Sequence, residues 1–128
     1  MKILIYGAGS IGNHYANGFI ERKHEVFVTD ISKEALIRMK TDIYPNRYKK
    51  WNDSIKLINS HEADELIVDF VFIGTPPESH LEICLNSIVK NKPKVIHVEK
   101  PISTIDLSKI NELKNLASKN KTILLNGY

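Results

Sequence analysis

Hydrophobic and polar positions along this chain fall into two kinds of segment. Short, unbroken apolar runs are typical of strands buried on both faces of a parallel sheet. They occur at Lys2–Tyr6, Glu25–Thr29, 67–74, Val95–Val98 and 122–125. Between them lie segments whose apolar residues recur every three or four positions, as in amphipathic helices. With right-handed crossovers, this alternation predicts the α/β class, with a doubly wound parallel sheet in three layers.

The predicted helices each place apolar residues on one face. These faces comprise Ile11, Tyr15, Phe19 and Ile20; Ala35, Leu36 and Met39; Leu81, Cys84, Leu85, Ile88 and Val89; and Leu107, Ile110, Leu113, Leu116 and Ala117. Ser32 is suited to cap the second helix. Thr75 and Glu78 have the spacing of a capping box for the third, with Pro76 at its first helical position.

The segment 41–65 is the least regular part of the chain. Pro45 and Asn46 favour a turn, and Ile55–Ile58 is read as a weak helix. Aromatic and basic residues alternate over 44–51, a mixture that can mark nucleic-acid binding. A solvated connection whose aromatics cover a sheet edge is the commoner cause, so we predict no nucleic-acid partner.

Three glycines follow the first strand with the spacing of a dinucleotide-binding turn. Gly7 permits a tight turn, Gly9 lets a diphosphate approach the backbone, and Gly12 lets the next helix pack on the strand. The helix N-terminus supplies unpaired N–H groups and a dipole that favours phosphate. We therefore predict a Rossmann fold whose cofactor contacts come from Gly7, Ala8, Gly9, Ser10, Ile11 and Gly12.

An acidic residue ends the second predicted strand. Asp30 lies at the distance from the glycines where a carboxylate binds the ribose hydroxyls of adenosine, and Ile31 follows it in the same region. The alternative is an N-cap aspartate without a ligand. An aspartate here repels a 2′-phosphate, which favours NAD, although Ser32 and Lys33 leave NADP possible.

Two other strand ends carry residues suited to the same crevice. Gly74 is followed by Thr75, Pro76 and Pro77, and His80 lies one turn later, either lining the site or exposed on the surface. The fourth predicted strand ends at Glu99-Lys100-Pro101. A lysine beside a nicotinamide could stabilise alkoxide character and relay a proton, making Lys100 the candidate catalytic residue. Pairing between Glu99 and a solvated Lys100 is the alternative.

Composition excludes several classes of protein. A chain of 128 residues with 42% apolar and 26% charged residues has the size and composition of one globular domain. A formal charge of +3 does not imply a nucleic-acid or membrane partner, and no apolar stretch is long enough to span a bilayer. The single cysteine, Cys84, excludes an internal disulfide and fits a reducing compartment. The histidine spacing indicates no metal site. We expect a cytoplasmic protein.

Three motifs in this order resemble the N-terminal nucleotide-binding domain of the glucose-fructose oxidoreductase and inositol dehydrogenase family (Gfo/Idh/MocA). They are Gly-Ala-Gly-Ser-Ile-Gly at 7–12, Thr-Pro-Pro-Glu-Ser-His at 75–80 and Glu-Lys-Pro at 99–101. The resemblance covers nearly the whole chain, and the last motif is its most specific part. It implies that Lys100 is the active-site lysine and that Thr75, Pro76, Pro77, His80 and Glu99 line the cofactor.

The resemblance also implies an activity. Family members transfer hydride between NAD or NADP and a carbinol or ketone, usually of a sugar, sugar nucleotide or polyol. Their second domain carries the substrate surface, a catalytic histidine or aspartate and usually the oligomer interface, and it is absent from residues 1–128. We expect a dinucleotide-binding domain that is inactive alone, with a homo-oligomer possible. The alternatives are a stand-alone nucleotide-binding or sensor module and a structural partner subunit. The longer loop 91–94, where the family has a glycine-bearing turn, is a departure.

Overall fold

Within residues 1–100 and 107–126, which the computed structural model describes, six parallel strands form one sheet in the order β3-β2-β1-β4-β5-β6. The strands are β1 (Lys2–Tyr6), β2 (Glu25–Thr29), β3 (Ile55–Ile58), β4 (Phe70–Ile73), β5 (Val95–Val98) and β6 (Ile123–Asn126). The α-helices are α1 (Ser10–Glu21), α2 (Lys33–Arg38), α3 (Tyr44–Tyr48), α4 (Ser60–Asp64), α5 (His80–Lys90) and α6 (Leu107–Lys119). Strands β2 and β3 are added on one side of β1, and strands β4 to β6 are added on the other side.

Two hydrophobic clusters pack the helices on opposite faces of the sheet, because successive strand residues point to opposite sides. Ile3 and Ile5 of β1 face the cluster formed with α1, α2 and α3, whereas Leu4 faces the cluster formed with α5 and α6. The predicted doubly wound, three-layer α/β fold is therefore confirmed. None of the helices in the described ranges is long and apolar enough to cross a membrane.

The segment Ile55–Ile58 is a strand, so its reading as a weak helix was wrong. It pairs in parallel with β2, in the register Val26 to Ile55. Four residues are too few to hold a helix without packing, whereas a β-branched residue fits the pleated surface. Exposed Lys56 lies on this edge strand, where a charge discourages pairing with another chain.

The predicted turn at Pro45 and Asn46 is helical instead. Helix α2 continues through a π-helical turn, Met39–Ile43, into α3. A proline lacks a backbone N–H and its ring crowds the carbonyl four residues earlier, which is relieved by widening the preceding turn. The aromatics of this region face inward: Tyr44 is 2% exposed and its ring packs against Trp51 at 5.2 Å. They belong to the sheet-face cluster rather than to a solvated edge.

Helix α5 does not begin with the predicted capping box. Pro77–Ser79 form a 3-10 turn, and α5 starts at His80. The Ser79 hydroxyl donates to Thr75 Oγ1 at 2.7 Å and contacts the Pro76 carbonyl oxygen at 2.6 Å. Thr75 Oγ1 thus accepts from a side chain, and no side chain caps the 3-10 turn, which has Pro76 at its N-cap.

Other boundaries shift by a few residues. The central strand is Phe70–Ile73 rather than 67–74, and Ile67 is 54% exposed. The last strand is Ile123–Asn126 rather than 122–125, since the Thr122 hydroxyl turns inward to the Pro93 carbonyl at 2.9 Å.

Two residues of the predicted apolar helix faces, Ile11 and Val89, are exposed. The side chain of Leu107 lies outside the described residues.

Polar residues complete the buried side of α5. Ser87 and Asn91 are fully buried, and Asn91 forms a hub. Its Oδ1 accepts hydrogen bonds from the Tyr6 hydroxyl at 2.7 Å and the Ser87 hydroxyl at 2.9 Å. Its Nδ2 donates to the carbonyls of Ala63 and Leu66, both at 2.7 Å. One amide thus joins β1, α4 and α5.

Burial alters two titratable groups in this layer. Burial is the main cause that raises the pKa of Tyr6 to about 12, and its hydroxyl donates to Asn91. Burial also raises the pKa of Cys84 to about 12. The protonated thiol packs as part of the core, as the sequence predicts.

Four lysines occupy backbone conformations that usually favour glycine. Lys23, Lys49, Lys92 and Lys121 have φ of 63°, 75°, 49° and 56°. Each follows a helix, where a residue with positive φ lets the chain leave the helical path. After α1, Lys23 N–H donates to Ile20 O at 2.9 Å and His24 N–H donates to Phe19 O at 3.1 Å. A side chain on a residue with positive φ lowers the free energy of unfolding relative to glycine.

Replacing Asn91 by alanine should lower the free energy of unfolding by about 3–5 kcal/mol, because four buried or part-buried hydrogen bonds are lost together. Urea denaturation of the wild type and the variant measures this. The control Asn120→Ala removes one exposed bond, to Leu116 O, and should cost about 1 kcal/mol or less. Equal losses in the two variants would contradict the role of Asn91 as a hub.

Replacing Lys23 by glycine should raise the free energy of unfolding by about 0.5–1 kcal/mol, since glycine adopts the positive φ without steric cost. Thermal and urea denaturation both report the change. Lys94→Gly serves as a control because Lys94 is not among the positive-φ residues, and this substitution should be destabilising. A Lys23→Gly variant no more stable than Lys94→Gly would show that the α1 terminus is unstrained.

Candidate functional site

The turn between β1 and α1 requires glycine at two positions. Gly7 has a φ of 110°, and a Cβ there would lie 2.9 Å from the Gly74 carbonyl oxygen. A Cβ on Gly12 would lie 1.9 Å from the Gly7 carbonyl oxygen, so α1 packs directly on the turn. These are the roles that the spacing predicts for the first and third glycines of the motif.

Gly9 differs from the other two because its Cβ position is open. No atom lies within 4 Å of a Cβ built there, and its φ of −83° is accessible to any residue. Gly9 is the N-cap of α1; no side chain caps this helix, and its first turn has no acidic residue. The backbone N–H groups at the start of α1 therefore have no capping side chain, and the open Gly9 position leaves room for an anion beside them.

Asn13 holds the turn from inside. It is fully buried, and its Nδ2 donates to Gly9 O at 2.8 Å and Ala8 O at 3.2 Å. Because the carbonyls of the turn point inward to Asn13, its outer surface is left to N–H groups. The sequence analysis missed Asn13; an amide directly after the third glycine is the signal that could have indicated it.

Asp30 connects the glycine turn to the end of β2. Its Oδ2 accepts a hydrogen bond from Ala8 N–H at 2.9 Å, and its Oδ1 accepts one from Ser32 N–H at 2.8 Å. A carboxylate has about four acceptor sites, so both oxygens retain acceptor capacity. Ser32 caps α2 as predicted, since its hydroxyl accepts from Ala35 N–H at 3.2 Å.

A cavity of about 370 Å³ opens beside Asp30, at the size expected of small-molecule sites. Its walls are mostly apolar and come from β1, the ends of β2 and β4, α4 and α5. They are formed by Tyr6, Thr29, Asp30, Ile31, Ser60, Asp64, Thr75, Pro76, Glu78, Ser79, Ile83 and Asn86. Ile31 is 98% exposed at its rim, an apolar surface suited to one face of a flat ring. The buried Thr29 hydroxyl in its wall has no hydrogen-bond partner among the described residues.

The link between β4 and α5 brings Thr75 and Pro76 to this cavity, with exposed Pro77 beside them. His80 is only 1% exposed, and its Nε2 lies 2.7 Å from the Thr75 carbonyl oxygen. The alternative of a surface histidine is therefore wrong. The ring supports the backbone of the link from beneath.

The third strand end lies on the other side of the turn. Glu99 N–H donates to Ile73 O at 3.0 Å, which continues the pairing of β4 with β5 as far as the half-buried Glu99. Lys100 is exposed, and neither residue takes part in an ion pair within the described ranges. Pro101 lies outside the described residues. Because β1, β4 and β5 are adjacent and parallel, the three predicted strand ends share one edge of the sheet.

Arg47 is a second residue that the sequence analysis missed. The guanidinium donates from one nitrogen to the Ser10 carbonyl oxygen at 2.8 Å and from the other to the Ser10 hydroxyl. It adds a positive charge beside the N-terminus of α1. Arg47 lies 37 residues from Ser10, so only the packing of α3 near α1 makes this contact visible.

The residues present fit a dinucleotide. The open backbone at Gly9 suits a diphosphate, the anchored Asp30 suits a ribose diol, and the apolar cavity suits a flat base. Within residues 1–100 and 107–126, no group of three or more histidine, cysteine, aspartate or glutamate residues is arranged to hold a metal ion.

Comparison with known proteins supports this reading. The chain is similar over 115 residues to glycerol-3-phosphate dehydrogenase [NAD(P)+] of Acholeplasma laidlawii, with 24% identity; the match covers 88% of this chain and 34% of the relative. Its fold matches an apo scyllo-inositol dehydrogenase from Lactobacillus casei with a TM-score of 0.74 and 19% identity, covering 99% of this chain and 36% of that one. Its fold also matches a UDP-N-acetylglucosamine 3-dehydrogenase from Acidithiobacillus ferrooxidans with a TM-score of 0.74 and 20% identity, covering 99% of this chain and 38% of that one.

The chain thus spans about a third of the length of these proteins. Its residues 1–128 also match the family model described as "Oxidoreductase family, NAD-binding Rossmann fold". The glycine turn, the parallel sheet and this match agree. The chain belongs to the Gfo/Idh/MocA oxidoreductase family, as its NAD-binding Rossmann domain.

Proposed function

We propose that this chain binds NAD at the carboxyl edge of its sheet and acts as the cofactor domain of a dehydrogenase for sugars or polyols. The observation that carries the proposal is the open N-terminus of α1 at Gly9, beside a carboxylate anchored by two backbone N–H groups. Phosphate, ribose and base each have a complementary neighbour along this edge.

The adenosine half of the cofactor is assigned to one side of the glycine turn. The diphosphate lies on the N–H groups of Gly9 and Ser10, where the Arg47 charge adds attraction. The ribose hydroxyls donate to Asp30. The adenine ring enters the neighbouring cavity with one face against exposed Ile31.

The nicotinamide half is assigned to the other side of the turn. Thr75, Pro76 and Pro77 of the β4–α5 link lie between the two halves, with buried His80 beneath them, and Glu99 and Lys100 follow at the end of β5. NAD supplies the hydride acceptor for oxidation of a carbinol. Lys100 would hydrogen-bond the substrate oxygen, stabilise its alkoxide character and relay the proton.

The substrate class rests on the names of similar proteins. The structures with the same fold include an inositol dehydrogenase and a dehydrogenase of a sugar nucleotide, and the sequence relative oxidises a polyol phosphate. A carbinol of a polyhydroxylated compound is the feature these names share. Turnover is assigned to a longer chain, because residues 1–128 correspond to about a third of each relative. A cytoplasmic location fits the single, buried cysteine.

Replacing Gly9 by aspartate tests the diphosphate site without disturbing the fold. The position has room for a Cβ and extended N-cap geometry, so aspartate should maintain or raise thermal stability. Its charge would face the diphosphate and should weaken NADH binding by at least about tenfold. Calorimetry or NADH fluorescence measures the affinity, and Gly9→Ser is the neutral control. Saturable NADH binding retained in a folded Gly9→Asp protein would overturn the assigned diphosphate site.

The preference between NADH and NADPH tests the role of Asp30. The wild type should bind NADH about tenfold more tightly, because the carboxylate repels a 2′-phosphate. Asp30→Ser should weaken NADH binding and bring the ratio of the two affinities close to one. Asp69→Ser removes a carboxylate whose Oδ2 accepts from Lys2 N–H at the opposite edge, so it should leave the ratio unchanged. Equal wild-type affinities would contradict the proposed discrimination.

A further inference from the structure

Polar side chains of two helices form part of the wall of the cavity beside Asp30. Ser60 and Asp64 of α4 and Asn86 of α5 line it together with Asp30. Both helices begin at the carboxyl edge of the sheet. With a rise of about 1.5 Å per residue, Asp64 lies roughly 6 Å along α4 from Ser60, and Asn86 roughly 9 Å along α5 from His80. The cavity therefore has the depth to hold a flat base inward from the sheet edge.

Hydrogen bonds link the side chains at this inner end. Asn86 Nδ2 donates to Asp64 Oδ1 at 3.2 Å, and Lys90 Nζ lies 3.1 Å from Asp64 Oδ2. The carboxylate can accept about four hydrogen bonds, so it retains acceptor capacity. Asn86 Oδ1 accepts no hydrogen bond from the described part of the chain. The pair thus offers acceptors to a ligand in the cavity.

Asp64 is ionised at neutral pH. Burial opposes its ionisation, but hydrogen bonds from Lys90 and Asn86, with the nearby positive charge, bring the pKa of Asp64 below its ordinary value. An ionised carboxylate only accepts hydrogen bonds. A ligand that places an N–H group here is stabilised, whereas one that places a carbonyl oxygen here is repelled.

We propose that Asp64 and Asn86 read the base of the bound dinucleotide, with the exocyclic amino group of adenine donating to the Asp64 carboxylate. This inference rests on the proposed function, which places the adenosine in this cavity. Adenine carries an N–H₂ donor at C6, where hypoxanthine and guanine carry a carbonyl acceptor. A site that hydrogen-bonds an N–H group discriminates against an analogue with a carbonyl in its place, because the Asp64 carboxylate, whose side chain is 35% exposed, then faces another acceptor.

The test compares NADH with reduced nicotinamide hypoxanthine dinucleotide, in which a carbonyl replaces the amino group at C6 and the adjacent N1 carries a hydrogen. Wild-type protein should bind NADH about tenfold more tightly, the size of effect expected for a hydrogen bond to a charged group. In Asp64→Asn the side-chain amide can turn its N–H₂ toward a carbonyl, so the preference should fall to about twofold or reverse. Fluorescence titration gives both affinities, and thermal denaturation monitors folding.

A matched control and a second variant complete the test. Glu65→Gln makes the same carboxylate-to-amide change at an exposed position one residue later and should keep the wild-type preference. Asn86→Ala retains the carboxylate but removes the neighbouring acceptor, and should reduce the preference about threefold. It provides the decisive comparison if Asp64→Asn does not fold.

The outcomes separate this inference from the proposed function. Equal affinity of the wild type for the two dinucleotides overturns the reading of the base while leaving dinucleotide binding intact. A wild-type preference retained in folded Asp64→Asn, or in Asn86→Ala if the first variant does not fold, overturns it too. If folded wild-type protein binds neither dinucleotide, the proposed function fails and this inference fails with it.

Discussion

The close contact between the backbone of α1 and the end of β1 is the constraint on which the site depends. A Cβ at Gly12 would lie 1.9 Å from the Gly7 carbonyl oxygen, so only glycine lets the helix approach this closely. The contact fixes where the N-terminus of α1 points, and with it the direction of the N–H groups and of the helix dipole. Gly7 adds a second constraint, because its positive φ and its contact with Gly74 bring the β4–α5 link against the turn.

Buried and half-buried polar side chains hold the elements around that contact. Asp30 ties the turn to the end of β2, and Asn13 binds the carbonyls on its inner side. On the other face, Asn91 joins β1, α4 and α5 through four hydrogen bonds. Because β1, α4 and α5, which Asn91 joins, form part of the cavity wall, packing below the sheet edge positions the groups that would meet a base.

Charge is divided along the edge in the manner a dinucleotide requires. Arg47 and the α1 N-terminus supply positive potential beside Ser10, whereas Asp30 and Asp64 supply hydrogen-bond acceptors further out. Between them the cavity wall is mostly apolar, with Ile31 exposed at its rim. A phosphate, a sugar diol and a flat base each require one of these surroundings. The order of the three surroundings along one edge is therefore stronger evidence for a dinucleotide site than any one of them.

The sequence by itself determined the fold class, five of the six strands and the order of the motifs, because these depend on local periodicity and on steric limits at single glycines. It did not determine the edge strand Ile55–Ile58 or the helical course through Pro45, where neighbouring elements decide between weak local preferences. Only tertiary structure brought Arg47 to Ser10, buried His80 beneath Thr75, and placed Asp64 beside Asn86. These contacts join residues on different elements, and packing rather than sequence spacing sets their distances.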